Sequence, residues 1–236
     1  MPMRVAAVIP VLNEAGAIGT TVRGLPRSII DHVIVVDGGS TDSTQQEAGD
    51  AGAEVLHETR PGYGRACLSG AERAHVLGAR VILFLDGDGA DAGECAHVLI
   101  GPVLADQADL VLASRTVGRR EKGSMGAHQI IAGRLIGHAA GLLAGVHYTD
   151  MSAFRAIRTD ALLALGMQEM TYGWNLEMQL RAAAARLRIQ EVALPYRRRI
   201  AGRSKVAGNL RGSLRAGSRI ITTLVRVSLE LKRQRA

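Results

Sequence analysis

Two aspartates one residue apart, Asp86 and Asp88, directly follow the apolar run Val81-Ile82-Leu83-Phe84-Leu85, so a pair of carboxylates is expected where a buried strand ends. Alternation in an extended chain sends both side chains to the same side, and Gly87 between them would let a bulky ligand approach the backbone. Hard carboxylate oxygens suit Mg2+ or Mn2+, whose remaining positions are filled by water and by the phosphate oxygens of a nucleotide. Acidic pairs are also common in solvated turns, so the metal reading depends on what surrounds the motif.

Those surroundings are an alternation of strand-like and helix-like segments. Positions 5–10, 33–37, 54–57, 81–85 and 110–113 read as strands rich in Val, Ile and Leu, buried on both faces. Helical candidates lie between them at 15–25, 43–51, 64–77 and 94–104. Strand and helix repeated in this way predict a single α/β domain with a mostly parallel, doubly wound sheet, whose ligand crevice lies beyond the carboxyl ends of the strands. The chemistry-bearing residues fall on that rim: Asn13 and Glu14 after the first strand, Asp37 at the end of the second, Asp86 and Asp88 after the fourth. Carboxylates gathered on one rim repel one another unless a cation or a donor-rich ligand joins them. Gly38 and Gly39 make a tight turn after Asp37, and Ser40 or Asp42 can cap the next helix, but a simple turn does not require Asp37 itself.

At 236 residues the chain is long enough for a full core, and 47% hydrophobic content argues against disorder. Cys67 and Cys95 show no metal-ligand spacing and read as reduced structural thiols of a cytoplasmic protein. Neither a signal peptide nor a spanning helix is visible, since the stretch 130–146 is interrupted by Arg134 and His138; membrane contact is expected to be peripheral. The net charge of +7 conceals an asymmetry: positions 197–236 hold 12 of the 29 Lys and Arg and one of the 22 acids, leaving 17 basic and 21 acidic residues for the rest. Clustered positive charge implies a polyanionic partner.

Pro10-Val11-Leu12-Asn13-Glu14, then Val35-Val36-Asp37-Gly38-Gly39-Ser40-Thr41-Asp42, then Asp86-Gly87-Asp88 resemble the family 2 glycosyltransferases of GT-A fold. Ala113-Ser114-Arg115, Asp150-Met151-Ser152-Ala153-Phe154-Arg155, the Glu191-Val192 element and Arg199-Ile200-Ala201-Gly202-Arg203-Ser204-Lys205 resemble the polyprenyl-phosphate sugar synthases within it, the dolichyl-phosphate mannosyltransferase type above all. The resemblance runs from residue 4 to about 206, so the chain divides into a catalytic domain (1–206) and a basic helical tail (207–236).

The resemblance implies that Pro10, Val11, Asn13, Glu14 and Asp37 hold the base and ribose of a UDP- or GDP-linked sugar, and that Asp86 and Asp88 share a Mg2+ or Mn2+ that bridges its phosphates. Such a cation neutralises charge on the departing nucleoside diphosphate. Arg199, Ser204 and Lys205 would close over the donor, and Arg65 stands where the family has a Gly-Lys element. An acceptor lipid phosphate is already anionic and needs no general base, so the acceptor end requires cations: Arg115 first, with His128 and Arg134 as further candidates. Asp150 would orient the acceptor or support an arginine, and Glu177, beside Trp174 on an Ala-rich helix, is a candidate without a defined role. Direct displacement would invert the anomeric centre.

The chain departs from the family pattern in four places. Gly38 stands where a second Asp is common, and Ala90 where a Gln would be a third metal ligand, leaving Asp91 or water for that position. Gly62-Tyr63-Gly64-Arg65-Ala66 replaces the Gly-Lys element, and Ala153 a glycine. The tail from 209 to 235 reads as one helix with Arg211, Arg215 and Arg219 at spacings of four and an apolar stripe through Leu210, Leu214, Ile221, Leu224 and Val225. It is expected to lie on an anionic membrane surface, with arginines among the head groups. Nucleic acid is disfavoured because the tail has no stacking aromatics, and a dehydrogenase because no Gly-x-Gly-x-x-Gly follows the first strand. Two alternatives stay open: transfer to a soluble phosphorylated or saccharide acceptor, with Asp150 or Glu177 as base, and a non-catalytic nucleotide-sugar-binding or scaffold protein.

Overall fold

A computed structural model describes residues 4–146, 148–202 and 210–235. Seven strands among them form one sheet: β1 (Arg4–Val11), β2 (His32–Asp37), β3 (Glu54–His57), β4 (Ala79–Phe84), β5 (Leu110–Ser114), β6 (Arg155–Arg158) and β7 (Ile189–Ala193). The order is β3-β2-β1-β4-β6-β5-β7. The expected strands lie within two residues of the observed ends, because their continuous Val, Ile and Leu suit a sheet covered on both faces. The two-residue period then sorts the core. Ala6, Val8, Ile34, Val36, Ile82 and Phe84 point into one layer, while Val5, Ala7, Ile9, Val35, Val81 and Leu83 point into the other. Each fully buried Val, Leu or Ile adds roughly 1.5–3 kcal/mol.

Helices α1 (Ile18–Arg23), α2 (Thr44–Asp50), α3 (Tyr63–Val76), α4 (Ala96–Leu104), α5 (Ala127–Ala144), α6 (Thr159–Ala164), α7 (Trp174–Ala184) and α8 (Leu210–Arg235) cover the sheet. In α3 the approach is close enough to require glycine: a Cβ on Gly70 would lie 2.3 Å from Val8 Cγ1.

The sheet is mostly parallel, as expected; its exception is β6, a four-residue strand absent from the sequence reading, with arginines at both ends and too short to show a period. It runs antiparallel between β4 and β5, with Phe84 and Leu112 each opposite Arg155. The reversal matters for function. The start of β6, not its end, lies at the carboxyl edge of its neighbours, so the segment from Asp150 to Phe154 is delivered to the rim that carries Asp86 and Arg115.

The tail is not separate from the domain. Helix α8 docks on α7, burying Thr223 and Val227, with Ile220, Leu224 and Leu231 packed against the same core. No described helix is long and apolar enough to cross a membrane.

Candidate active site

The rim has an acidic half and a basic half. In the acidic half, Asp86 and Asp88 lie past the last residue of β4, in a turn, so strand alternation does not orient them. Gly87 serves packing rather than a ligand: a Cβ there would sit 2.5 Å from Val11 Cγ1. Asp91 braces the turn, its Oδ2 accepting from the Asp86 backbone N–H at 3.1 Å. Burial, and then the charge of neighbouring Asp88, hold the Asp86 carboxyl well above the ordinary aspartate range; burial and then Asp86 do the same to Asp91. Excess buried carboxylate is what a divalent ion would relieve, and the donors are hard oxygens. Among the described residues no three acidic, His or Cys groups form a complete metal cage. The residues fit an ion held by Asp86 and Asp88 and completed from outside the protein.

The loops after β1 and β2 are tied to each other. Asn13, at φ 50°, accepts from Thr41 N–H at 2.8 Å through its side chain, while its own N–H donates to Ser40 Oγ at 2.8 Å. Glu14 is nearly buried; its N–H donates to Thr44 Oγ1 at 2.8 Å and its carbonyl accepts from Ala17 and Ile18 at the start of α1. Pro10 and Val11 form the buried end of β1, and the Val11 carbonyl accepts from Gly38 N–H at 2.9 Å. Asp37 is fully buried and builds the loop itself, accepting from Ser40, from Gly39 N–H and from Gln45 Nε2 at 2.7 Å, with His57 Nδ1 at 3.6 Å. Contact between this carboxylate and a nucleotide requires Gln45 or His57 to yield. Neither Ser40 nor Asp42, the expected caps, stands at the N-cap position of α2, which is Ser43; Asp42 accepts from Thr44 N–H at 3.0 Å.

In the basic half, Arg115 follows β5 and is gripped by Asp150: Nε to Oδ2 is 2.7 Å, Nη2 to Oδ1 2.9 Å, and the Arg115 N–H donates to Oδ2 at 3.0 Å. The guanidinium stacks on Tyr196, 5.3 Å from the ring centroid. Burial works against its charge, but the bonds and charge of Asp150 prevail and hold it protonated; the same pair keeps Asp150 ionised against its own burial. Asp150 therefore supports an arginine rather than acting as a base. Helix α5 lies over this pair, with Gly133 facing Asp150 Oδ1. Arg134 is exposed on α5, and the His128 side chain lies outside the described residues, as do Ser204 and Lys205.

A strap after β7 joins the two halves. Its Arg197 and Ile200 N–H groups donate to the carbonyls of Ala90 and Asp88, both at 2.9 Å, and Arg199 reaches Glu14 and Asp88. Arg65, half-buried in the first turn of α3, donates its N–H to Met170 O at 3.0 Å.

Residues 6–165 match Glycosyl transferase family 2. The chain belongs to this family. It is 35% identical over 215 residues to an uncharacterized glycosyltransferase of Mycobacterium tuberculosis, covering 89% of this chain and 93% of the relative. It is 31% identical over 225 residues to the undecaprenyl-phosphate mannosyltransferase of Micrococcus luteus, covering 89% and 90%. Its fold matches glucosyl-3-phosphoglycerate synthase of M. tuberculosis in complex with Mn2+, UDP-glucose and phosphoglyceric acid, with a TM-score of 0.74 at 23% identity over 96% of this chain and 80% of that one. The GT-A architecture and a glycosyltransferase identity follow.

Within this glycosyltransferase, Glu177 is removed from the candidate catalytic set. It is fully buried beneath α8 and accepts from Arg181 Nε at 2.9 Å, from Gln168 N–H at 2.9 Å and Glu169 N–H at 2.6 Å, with Arg226 at 3.4 Å. It pins α8 to α7. Arg155, also fully buried, ties β6 to α7 through the carbonyls of Ser152 and Asn175. Tyr196, beneath Arg115, ends the element that begins at Glu191-Val192 but was given no role from the sequence, since its stacking partner is 81 positions earlier in the chain.

Proposed function

We propose that this glycosyltransferase moves a hexose from a UDP- or GDP-linked sugar to a polyprenyl phosphate at a membrane surface, inverting the anomeric centre. The observation that carries the reading is the acceptor end: a guanidinium held rigid by Asp150 and Tyr196, with Asp150 and Glu177 both committed to arginines. A phosphate acceptor needs the cation and no base. The relative that acts on undecaprenyl phosphate supports the same acceptor class.

On the donor side, the backbone and side chains of 13–14 and 37–44 would cradle the nucleoside while Asp86 and Asp88 hold Mg2+ or Mn2+ against the diphosphate; Mn2+ accompanies UDP-glucose in the fold neighbour. That ion would supply Lewis-acid stabilisation of the leaving group. Arg199 adds a cation on the same side, and Arg115 orients the attacking phosphate.

Two helices offer apolar surface to a bilayer. Helix α5 buries Gly133, Gly137 and Ala140 and turns Ile131 and Leu135 outward, 59% and 65% exposed. Helix α8 buries one face on α7 and presents Ile221, Val225 and Leu229 on the other, at 60%, 53% and 51%. The expected stripe is thereby divided, since Leu224 faces the core while Leu210 and Leu214 have no described side chains. Arg226, moreover, is spent on Glu169, Glu177 and Glu230 instead of head groups.

A second reading, transfer to a soluble phosphorylated alcohol, is favoured by the phosphoglyceric acid in the fold neighbour and by Asp91, a buried carboxyl with raised proton affinity near Arg115. The deciding experiment is a radiolabelled transfer assay with Mg2+ or Mn2+, a panel of UDP- and GDP-sugars, a short polyprenyl phosphate and 3-phosphoglycerate. Metal-dependent label in the organic phase is expected; label that moves only to the phosphoglycerate overturns the lipid reading.

A further inference from the structure

Arg199 stands between the two acidic arms of the donor site. Its Nη2 donates to Glu14 Oε1 and Oε2 at 3.1 and 3.0 Å and lies 3.4 Å from Asp88 Oδ2, while its Nε donates to Ala201 O at 3.1 Å. The arm that carries it is docked by backbone contacts. Ile200 N–H donates to Asp88 O, and the Ile200 side chain lies so close over Gly89 that a Cβ there would be 2.3 Å from Cδ1; Ala201 abuts Gly16. The guanidinium is thus delivered to the metal carboxylate by the fold of the strap.

We propose that Arg199 is a place-holding cation, so that a bare divalent ion is disfavoured and the metal binds as its complex with a nucleoside diphosphate. The inference rests on the donor reading above and adds an order of binding to it. In the resting site the guanidinium neutralises Glu14 and Asp88 through charge-assisted contacts. A metal ion arriving alone at Asp88 must work against that contact and brings nothing to replace it, and two positive charges then crowd one carboxylate. A diphosphate changes the balance, because its oxygens give both the ion and the fork-shaped guanidinium new anionic partners. One side chain therefore opposes the metal alone and favours the metal with donor. A residue that only held the strap in place would weaken both.

The test is calorimetric titration of Mn2+ alone, and of UDP and GDP each with saturating Mn2+, against the wild type, Arg199→Ala, Arg199→Gln and Arg197→Ala. Arg197 lies on the same strap but pairs with Glu94, away from the carboxylates, and controls for loss of one positive charge. Thermal melts confirm that each variant is folded. Both Arg199 variants are expected to bind Mn2+ alone several-fold more tightly and the nucleoside diphosphate about tenfold more weakly, with Arg197→Ala close to wild type. Unchanged or weaker binding of Mn2+ alone in the Arg199 variants overturns the place-holding role, as does equal tightening in Arg197→Ala. If the wild type binds neither UDP nor GDP with Mn2+, the donor reading itself falls and this inference with it.

Discussion

The two halves of the rim handle charge in opposite ways. Around Asp86 the fold crowds Asp88 and Asp91 together with Glu14, in or beside a half-buried turn, and Arg199 reaches into the cluster at Glu14 and Asp88. Around Arg115 it completes the pairing internally, with two side-chain bonds and one backbone bond from a single carboxylate and an aromatic ring below. Under the proposed function, the difference separates the half that would take up an ion from the half that would meet an anion. Crowded carboxylates repel one another and favour a cation between them, whereas an arginine gripped by a carboxylate and an aromatic ring is held in one direction.

The largest effect is expected from breaking the acidic half. Asp88→Ala should lower transfer by about a thousandfold or more, because leaving-group stabilisation of several kcal/mol is lost, while circular dichroism melts stay close to wild type. Undiminished transfer, with chelator controls, would sink the metal assignment.

In the basic half the same kind of change should act on stability. Asp150→Asn leaves a half-buried guanidinium with an incomplete partner and is expected to cost about 2–3 kcal/mol, discounted from a fully buried pair for the 22% exposure of the Arg115 side chain. Arg115→Lys keeps the charge but loses the fork and the ring stacking. It should reduce transfer roughly 10- to 100-fold with nucleotide binding intact, a split that measured nucleotide affinity would refute if it fell in parallel.

Outside the rim, the triple change of Ile221, Val225 and Leu229 to Asp tests whether the exposed apolar face of α8 binds a membrane, without exposing Glu177, which deletion of the helix would do. Sedimentation with anionic liposomes should fall about tenfold or more, with stability shifted only slightly because all three side chains are mostly exposed. Equal sedimentation would refute the role of this face.

The smallest effect sharpens the contrast from the opposite end of β5. Asp109 accepts from Arg188 at 2.8–3.0 Å and from Arg158 at 3.2 Å, and the Arg188 bonds, with a lesser opposing effect of burial, depress its carboxyl to about 2. A depressed folded pKa stabilises above the unfolded value near 4 and loses that contribution as pH falls from about 4 to 2. Wild type should exceed Asp109→Asn by about 1 kcal/mol at pH 7, given the exposed arginines, and the gap should close toward pH 2, with transfer unchanged. A gap that persisted at pH 2 would mean that the pair is not its source.

Much of the acidic half was legible in the sequence because strand-end residues of a parallel sheet share one edge. Asn13, Glu14, Asp37, Asp86 and Asp88 needed only the positions of β1, β2 and β4 to be grouped. The basic half was not legible in that way. Asp150 and Arg115 meet because β6 runs backwards, and a four-residue strand carries no signal of its direction. Glu177 shows the reverse error: an acid beside the lone Trp looked available, yet α8 covers it from about fifty residues further along the chain.

The sequence by itself determined the strand and helix order, the acidic rim, the concentration of positive charge after residue 196 and the family motifs, because each is written in local composition and spacing. Tertiary structure decided which charges are spent and which remain to act. That depends on distances between residues far apart in the chain, such as Arg199 with Glu14 and Asp88, and only the closed sheet and its docked strap bring those within hydrogen-bonding reach.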